Sequence, residues 1–210
     1  MSKDKVCTIY LVRHGESKAN VDKIVQGHTD SPLTENGVKQ AEEIRDKFSQ
    51  VLFGAIYSSD LMRAKRTADI IAAGRGIAVR ALPGLREKYF GDFEGKDNSE
   101  FVETLKDEFH KFENLLSEEE MWEHKAHPSM ESDKELLVRA RSALQEIANM
   151  HIGENVLVVT HRYLIRMILV SFGHGSYKNL KDGALKTGGY AIVDFDGGNF
   201  IVIDVVGAEA

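Results

Sequence analysis

The sequence predicts an α/β fold of three layers, in which helices cover both faces of a mostly parallel central sheet. Short apolar runs of strand composition alternate with amphipathic segments of helical period along most of the chain, and this alternation is typical of parallel β–α–β units. Near the end, two more strand-like runs are joined by Asp196-Gly197-Gly198-Asn199, which predicts a C-terminal hairpin. The 210 residues suffice for one hydrophobic core, so we expect residues 1–210 to form a single domain.

The N-terminal elements follow from apolar periodicity. Residues 7–12 combine β-branched and aromatic side chains and are predicted to form a buried strand. Thr34 is suited to cap the next helix, whose apolar residues recur on one face: Val38, Ala41, Ile44 and Phe48. Residues 53–57 are predicted to form the second strand.

The second strand leads to a helix capped by Ser58 or Ser59 and then to a third predicted strand at residues 77–82. A helical, acidic insertion at about residues 97–132 follows. Within it, large apolar side chains recur at helical spacing from residue 99 to residue 116, which predicts one amphipathic helix. We favour packing of this helix against the core over a role as a substrate-contacting lid, because apolar stripes usually face cores.

The C-terminal part repeats the alternation. Residues 133–147 have the period of a helix, residues 155–160 form a continuous apolar strand, and residues 163–170 are predicted to be helical. The strands of the terminal hairpin are predicted at residues 190–195 and 200–205.

The composition narrows the classes of function. A formal net charge of −6 argues against a sequence-independent nucleic-acid binder, because such a protein needs a basic face. The charge is concentrated in residues 97–123, where ten carboxylates accompany only Lys106 and Lys111, so the rest of the chain can still bind an anion locally. Cys7 is the one cysteine, and no run of residues is long and apolar enough for a membrane span. We therefore expect a cytoplasmic protein without a membrane partner.

The first strand ends abruptly in the triplet Arg13-His14-Gly15. Ligands of open α/β sheets bind beyond the carboxyl ends of the strands, so His14 is expected where a ligand would lie. Gly15 would relax the backbone where the loop approaches that ligand. A strand that simply ends in a solvated arginine and histidine would have the same local sequence, so the context must decide.

Four motifs follow one another in order and supply that context. They are RHGES at 13–17 with Asn20 and GHTDSPLT at 27–34, then SSDLMRAKRTA at 58–68, LRE at 85–87 with FGDFEG at 90–95, and VVTH at 158–161. Together they resemble the motifs of the histidine phosphatase superfamily, which includes the cofactor-dependent phosphoglycerate mutases. The resemblance implies a phosphoglycerate mutase-like fold and phosphoryl transfer through a phosphohistidine, with no metal and no other cofactor.

The resemblance also implies a role for each motif residue. His14 would be the nucleophile, with its other ring nitrogen donating to a nearby backbone carbonyl. Arg13 and Arg63 would clamp the phosphate, because a guanidinium fork matches phosphate oxygens. His161 would stabilise the charge of the transferring group, and Glu87 would protonate the leaving group and then deprotonate water.

Four further residues are expected at the substrate. Asn20 matches a position that hydrogen-bonds the phosphate, and Gly27 and His28 match the loop around the substrate. Arg162 stands where this family usually has glycine, and a long cation there is expected to narrow the pocket or to bind a second anionic group. Met130 also replaces a usual glycine, in the turn Ser129-Met130-Glu131-Ser132.

Simpler interpretations of single residues stay open. Arg63 would brace a helix, Glu87 would pair with Arg86 or Lys88, and His161 would be a satisfied core histidine. Arg66 is interpreted as a surface charge rather than a third clamp, because Lys65 competes for the same side of the helix.

We favour hydrolysis of a small-molecule phosphate ester over mutase activity, because an acidic insertion opposes a multiply anionic ligand. In the cofactor-dependent mutases, basic residues of the insertion hold that ligand. A sugar bisphosphatase and a nucleotide-loop phosphatase of cofactor synthesis both fit, as does a catalytically silent phosphate-binding module. A metal hydrolase is disfavoured, because the histidines lack close ligand spacing and arginines would repel a cation. A homodimer stays open as the assembly.

Overall fold

The computed structural model describes residues 6–176 and 185–207 of the chain. Its centre is a six-stranded sheet. The strands are β1 (Cys7–Arg13), β2 (Phe53–Ser58), β3 (Val79–Ala81), β4 (Asn155–Thr160), β5 (Tyr190–Phe195) and β6 (Phe200–Val206). Their order in the sheet is β3-β2-β4-β1-β5-β6.

Four strands of the sheet are parallel and the last two form an antiparallel hairpin. β4 pairs in parallel with both β1 and β2, and β2 pairs in parallel with β3. β5 runs antiparallel to β1 and to β6. The α/β fold and the C-terminal hairpin predicted from the sequence are therefore confirmed.

The helices that cover the sheet are α2 (Glu35–Lys47), α3 (Met62–Ala72), α7 (Asp133–Met150) and α8 (Arg162–Ser171). One core cluster joins α2 and α3 to the sheet through side chains such as Ile44, Ile71 and Ile56. A second cluster contains Leu144 of α7 and Ile168 of α8 together with further strand residues. Two separate apolar clusters built on one sheet confirm the three-layer arrangement.

Two predicted element boundaries are wrong. Ser58 is the last residue of β2, and the N-cap position of α3 is Leu61, which makes no side-chain cap bond. The hydroxyl of Ser59 instead accepts from the Leu61 amide at 3.3 Å inside the turn before the helix. β3 is also shorter than predicted, because it lies at the sheet edge and pairs with β2 over only three residues.

The insertion contains three short helices: α4 (Asn98–Thr104), α5 (Lys106–Asn114) and α6 (Glu118–Glu123). The single helix predicted for residues 99–116 is therefore wrong. The break lies at the buried Leu105, which packs with Phe101 and Met130 in a third apolar cluster. Phe112 instead packs on the second cluster, on the side of the sheet covered by α7 and α8. One apolar stripe is thus divided between two clusters, and its burial agrees with packing rather than with a lid.

One more short helix, α1 (Lys18–Val21), lies in the loop after β1. Within residues 6–176 and 185–207, no helix is both long and apolar enough to cross a bilayer.

Candidate active site

Two histidines lie side by side where adjacent parallel strands end. Arg13 of β1 is in register with Thr160 of β4, and the His14 amide donates to the Thr160 carbonyl at 3.0 Å. His14 and His161 each follow their strand by one residue, and their ring centroids are 5.1 Å apart. The sheet register therefore brings together two side chains that are far apart in sequence.

The His14 ring is held in one tautomer. Its Nδ1 atom lies 2.7 Å from the Gly15 carbonyl oxygen, and because a carbonyl can only accept, Nδ1 must carry the proton. The lone pair is then on Nε2. Burial lowers the pKa of His14 well below its ordinary value, and Arg63 and Arg13 lower it further. The imidazole is therefore neutral near pH 7, which is the form that can act as a nucleophile.

His161 is fully buried, and within the described part of the chain neither of its ring nitrogens has a hydrogen-bond partner. Burial lowers the pKa of His161 well below its ordinary value, and Arg63 adds to this. A buried polar group without partners is costly and rare in native structures. The interpretation of His161 as a satisfied core histidine is therefore wrong, and its nitrogens are available to a ligand.

Arg63 belongs to the first turn of α3 and is only 1% exposed. Its guanidinium donates to the carbonyls of Gly27 at 2.7 Å and Thr29 at 2.8 Å, while its Nε finds no partner in the residues described. Burial lowers the pKa of Arg63. Its guanidinium bonds hold the loop after α1, including an ion pair with Asp30 at 3.7 Å, instead of bracing a helix, and its charge acts on both histidines.

Arg13, the last residue of β1, completes the positive side of the cluster. It is half-buried, and its Nη1 donates to the Leu185 carbonyl at 2.6 Å. Arg13 and Arg63 are the two cations that lower the pKa of His14. Their combined field favours an anion beside His14.

The Glu87 carboxylate is buried against the first turn of α8. It accepts from the amides of Tyr163 at 3.2 Å and Leu164 at 3.1 Å, and also from the amide of Lys88 at 2.9 Å. It thus occupies the N-terminus of α8, where His161 provides no side-chain cap. Because two of its amide donors come two and three residues after His161, this carboxylate lies at the end of α8 that follows the buried histidine.

The neighbours of Glu87 pair elsewhere. Arg86 forms an ion pair with Asp60 at 2.6 Å, and Lys88 forms one with the buried Asp133, also at 2.6 Å. The interpretation of Glu87 as an ion-pair partner of Arg86 or Lys88 is therefore wrong.

The loop around the expected substrate requires glycine at position 27. Gly27 has φ +53°, and an added Cβ would lie 1.9 Å from Oε1 of Glu94. Nε2 of His28 lies 2.9 Å from the Glu87 carbonyl oxygen and therefore donates to it. His28 is thus tied to the segment that carries the predicted acid, which leaves Nδ1 for other contacts.

Asn20 lies in the capping box of α1. Its Oδ1 accepts from the amide of Ser17 at 3.0 Å and from the hydroxyl at 2.9 Å, so its NH₂ group is left to donate. The Ser17 hydroxyl also lies 3.0 Å from Oε1 of Gln26. Gln26 is thus a neighbour of Asn20 that the sequence interpretation missed, because no motif position drew notice to it.

Gly15 has a structural role that differs from the predicted one. A Cβ at this position would lie 2.3 Å from the Gly37 carbonyl oxygen. Glycine is therefore required at this position because the backbone of the loop passes close to the first turn of α2. The approach of a ligand is not the reason.

Arg162 is the first residue of α8 and is half-buried. Among the described residues it makes no hydrogen bond and no ion pair. It immediately follows the unpartnered His161, so this cation extends the positive region on the side of α8.

The described residues contain no group of three or more His, Cys, Asp or Glu side chains arranged to hold a metal ion. The cluster is instead rich in cations and neutral imidazoles. Fold and site together define an α/β protein with a cation-rich cluster around a histidine pair at the carboxyl ends of its parallel strands.

The chain belongs to the histidine phosphatase superfamily, branch 1, whose family model matches residues 9–206. The predicted resemblance is thereby confirmed at the level of the family. Members of this superfamily are phosphatases or mutases, and the relatives of this chain include both kinds by name.

Two relatives illustrate this, and one solved structure shows a similar fold. The probable phosphoglycerate mutase GpmB of Photorhabdus laumondii is 37% identical over 161 residues, which cover 73% of this chain and 68% of the relative. The adenosylcobalamin/alpha-ribazole phosphatase of Escherichia coli K12 is 27% identical over 161 residues, covering 77% and 76%. The structure of Bacillus stearothermophilus YhfR matches with a TM-score of 0.84 at 33% identity, covering 97% of this chain and 98% of the other.

Proposed function

We propose that this protein is a metal-independent phosphomonoester hydrolase that acts through a phosphohistidine on a small phosphorylated metabolite. The observation that carries the proposal is the state of the two histidines. His14 is buried and neutral with its Nε2 lone pair free, and beside it His161 has two unpartnered nitrogens. A nucleophile next to an uncommitted imidazole N–H, with two arginines nearby, suits a transferring phosphoryl group.

The proposed reaction has two steps. In the first, Nε2 of His14 attacks phosphorus, the bond from phosphorus to the ester oxygen breaks, and Glu87 gives that oxygen a proton. In the second, Glu87 takes a proton from water, the water oxygen attacks phosphorus, and the nitrogen–phosphorus bond breaks to release inorganic phosphate. Arg13, Arg63 and His161 stabilise the equatorial oxygens in both steps.

Hydrolysis is favoured over mutase activity by the charge of the insertion. Its two lysines among α4 and α5 are both paired with carboxylates, Lys106 with Glu103 at 3.1 Å and Lys111 with Glu108 at 3.7 Å. Neither is therefore an unpaired cation for the carboxylate of a phosphoglycerate. Mutase activity is the alternative, and the name of the Photorhabdus relative favours it.

The remaining expectations stay predictions: a cytoplasmic location, a small-molecule substrate with no nucleic-acid partner, and a homodimer as one form of assembly. A silent phosphate-binding module is disfavoured, because each residue assigned to the chemistry is present.

The proposed function is tested with a panel of phosphate monoesters that includes 3-phosphoglycerate and its bisphosphate, assayed with and without EDTA. We expect inorganic phosphate to be released from at least one monoester at a rate that EDTA does not change. Mutase turnover faster than hydrolysis would establish the alternative. Loss of hydrolysis in EDTA, with recovery on adding a divalent metal, would contradict a metal-independent mechanism.

Arg162 is proposed to select substrates with a second anionic group. We expect Arg162→Gly to lower kcat/KM for a bisphosphate or phosphocarboxylate about tenfold, the equivalent of one charge-assisted hydrogen bond. For phenyl phosphate the change should be less than about twofold, because that ester has no second anion to bind.

The exposed Arg141 of α7 provides a matched control. Arg141→Gly should leave the ratio of the two kcat/KM values unchanged. An unaltered substrate profile in Arg162→Gly would remove Arg162 from the substrate site.

A further inference from the structure

Arg139 of α7 has every donor of its guanidinium engaged. Nε donates to Oε1 of Glu131 at 2.7 Å, and Nη2 donates to Oε2 of the same carboxylate at 2.9 Å. Nη1 donates to the carbonyls of Gly84 at 3.1 Å and Arg86 at 2.7 Å, and Nη2 also donates to that of Glu87 at 2.7 Å. A guanidinium has five N–H groups, so Arg139 has no donor left for a substrate phosphate.

The three backbone carbonyls bound by Arg139 belong to one short segment, residues 84–87, which carries the Glu87 carboxylate. Two more bonds fix the same segment. The Thr160 hydroxyl donates to the Leu85 carbonyl at 2.7 Å, and His28 shares the Glu87 carbonyl with Arg139. Apart from the short helical turn Pro83–Leu85, the segment lacks regular structure, so these side-chain bonds determine where its backbone lies.

Glu131 holds the guanidinium in the orientation that this requires. It binds Arg139 through two parallel bonds, and its Oε2 also accepts from the Tyr89 amide at 3.1 Å. Glu131 and Arg139 therefore form a bridge between the start of α7 and the backbone on both sides of Glu87. A planar fork can reach three carbonyls and a carboxylate at once, whereas a lysine ammonium is a point charge with three donors.

We infer that Arg139 is a positioning residue for proton transfer by Glu87. The inference rests on the proposed function, since it requires Glu87 to be the acid. Arg139 holds the backbone of residues 84–87 so that the carboxyl group meets the leaving oxygen within hydrogen-bonding distance. Displacements of well under an ångström weaken such a transfer.

The test uses the dependence of the rate on the leaving group. A series of aryl phosphates from dinitrophenyl to unsubstituted phenyl is assayed, and kcat/KM is compared, because it reports the steps up to cleavage of the ester bond. Dinitrophenolate needs no proton to leave, whereas phenolate does. We expect Arg139→Lys to lower kcat/KM for phenyl phosphate about thirtyfold, and that for the dinitrophenyl ester less than about threefold.

Three comparisons make the result decisive. Glu87→Gln should show the same dependence of kcat/KM on the leaving group, with a larger loss for phenyl phosphate. Arg141→Lys makes the same substitution at an exposed position of the same helix, and it should leave kcat/KM unchanged for every ester. If Arg139→Lys does not fold, Glu131→Gln replaces it in the test, because it loosens the same fork. It should lower kcat/KM for phenyl phosphate about fivefold more than kcat/KM for the dinitrophenyl ester.

An equal loss for all esters in Arg139→Lys, with Glu87→Gln behaving as expected, would reduce Arg139 to a structural role and overturn the inference alone. Glu87→Gln without a leaving-group effect would overturn both the inference and the acid role in the proposed function.

Discussion

Replacement of His14 by alanine is expected to lower kcat/KM for a phosphate monoester at least about ten-thousandfold. We expect no other described side chain to take its place, because the neighbouring His161 is proposed to donate the N–H of its neutral ring to a phosphate oxygen. The loss should be of similar size for all leaving groups, since the nitrogen–phosphorus bond is formed with every substrate. Initial-rate kinetics on dinitrophenyl and phenyl phosphate measure it.

A control separates chemistry from stability. His110 of α5 is exposed, and in the described part of the chain its ring hydrogen-bonds to Asn114 of its own helix, so His110→Ala should keep full activity. His14→Ala should stay folded at the assay temperature but unfold at a somewhat lower temperature than the wild type, since removal of the buried neutral imidazole creates a cavity and breaks its bond to the Gly15 carbonyl. Activity that survived in a folded His14→Ala protein would overturn the assignment of the nucleophile.

Replacement of Arg63 by lysine is expected to lower kcat/KM between about a hundredfold and a thousandfold. The substitution keeps a positive charge but removes the fork that binds the Gly27 and Thr29 carbonyls, together with the Nε donor that has no partner among the described residues. A lysine ammonium can bind the loop carbonyls or the phosphate, but it lacks the planar fork that would let it bind both at once. Steady-state kinetics with a single monoester measure this effect.

Arg66, three residues further along α3, provides the matched control because it is exposed. Arg66→Lys should change kcat/KM less than about twofold. Arg63→Lys should also lower the free energy of unfolding by about 1–3 kcal/mol, because the buried Gly27 carbonyl loses this donor. Equal kinetics for the two lysine variants would show that the buried guanidinium is dispensable and would remove Arg63 from the phosphate site.

The strands at the centre of the sheet could be predicted closely from the sequence. β4 has the predicted bounds and β1 differs by one residue, because a strand buried on both faces is a continuous apolar run. The edge strand β3 could not be predicted as well, because it has fewer partners and exposed side chains. The order of the strands has no local signature, so the contact between His14 and His161 could be expected only from the family motifs.

Leu105 illustrates where periodicity fails. The pattern of residues 99–116 is regular, and the helix breaks because its two ends pack on different clusters. Only tertiary structure contains that information. Arg139 is similar, because its partners at positions 84–87 lie more than fifty residues away and an arginine within an amphipathic helix reads as an ordinary surface charge.

The central claim is that the His14 nitrogen becomes covalently bound to phosphorus. The direct measurement is to mix the enzyme with an excess of dinitrophenyl phosphate, stop the reaction within milliseconds in alkaline denaturant, and map the protein by mass spectrometry. The account predicts one added phosphoryl group on the peptide that contains His14, absent from His14→Ala and accumulating in Glu87→Gln. Rapid hydrolysis with no phosphoryl group on His14 at any time, or with the group on another residue, would contradict it.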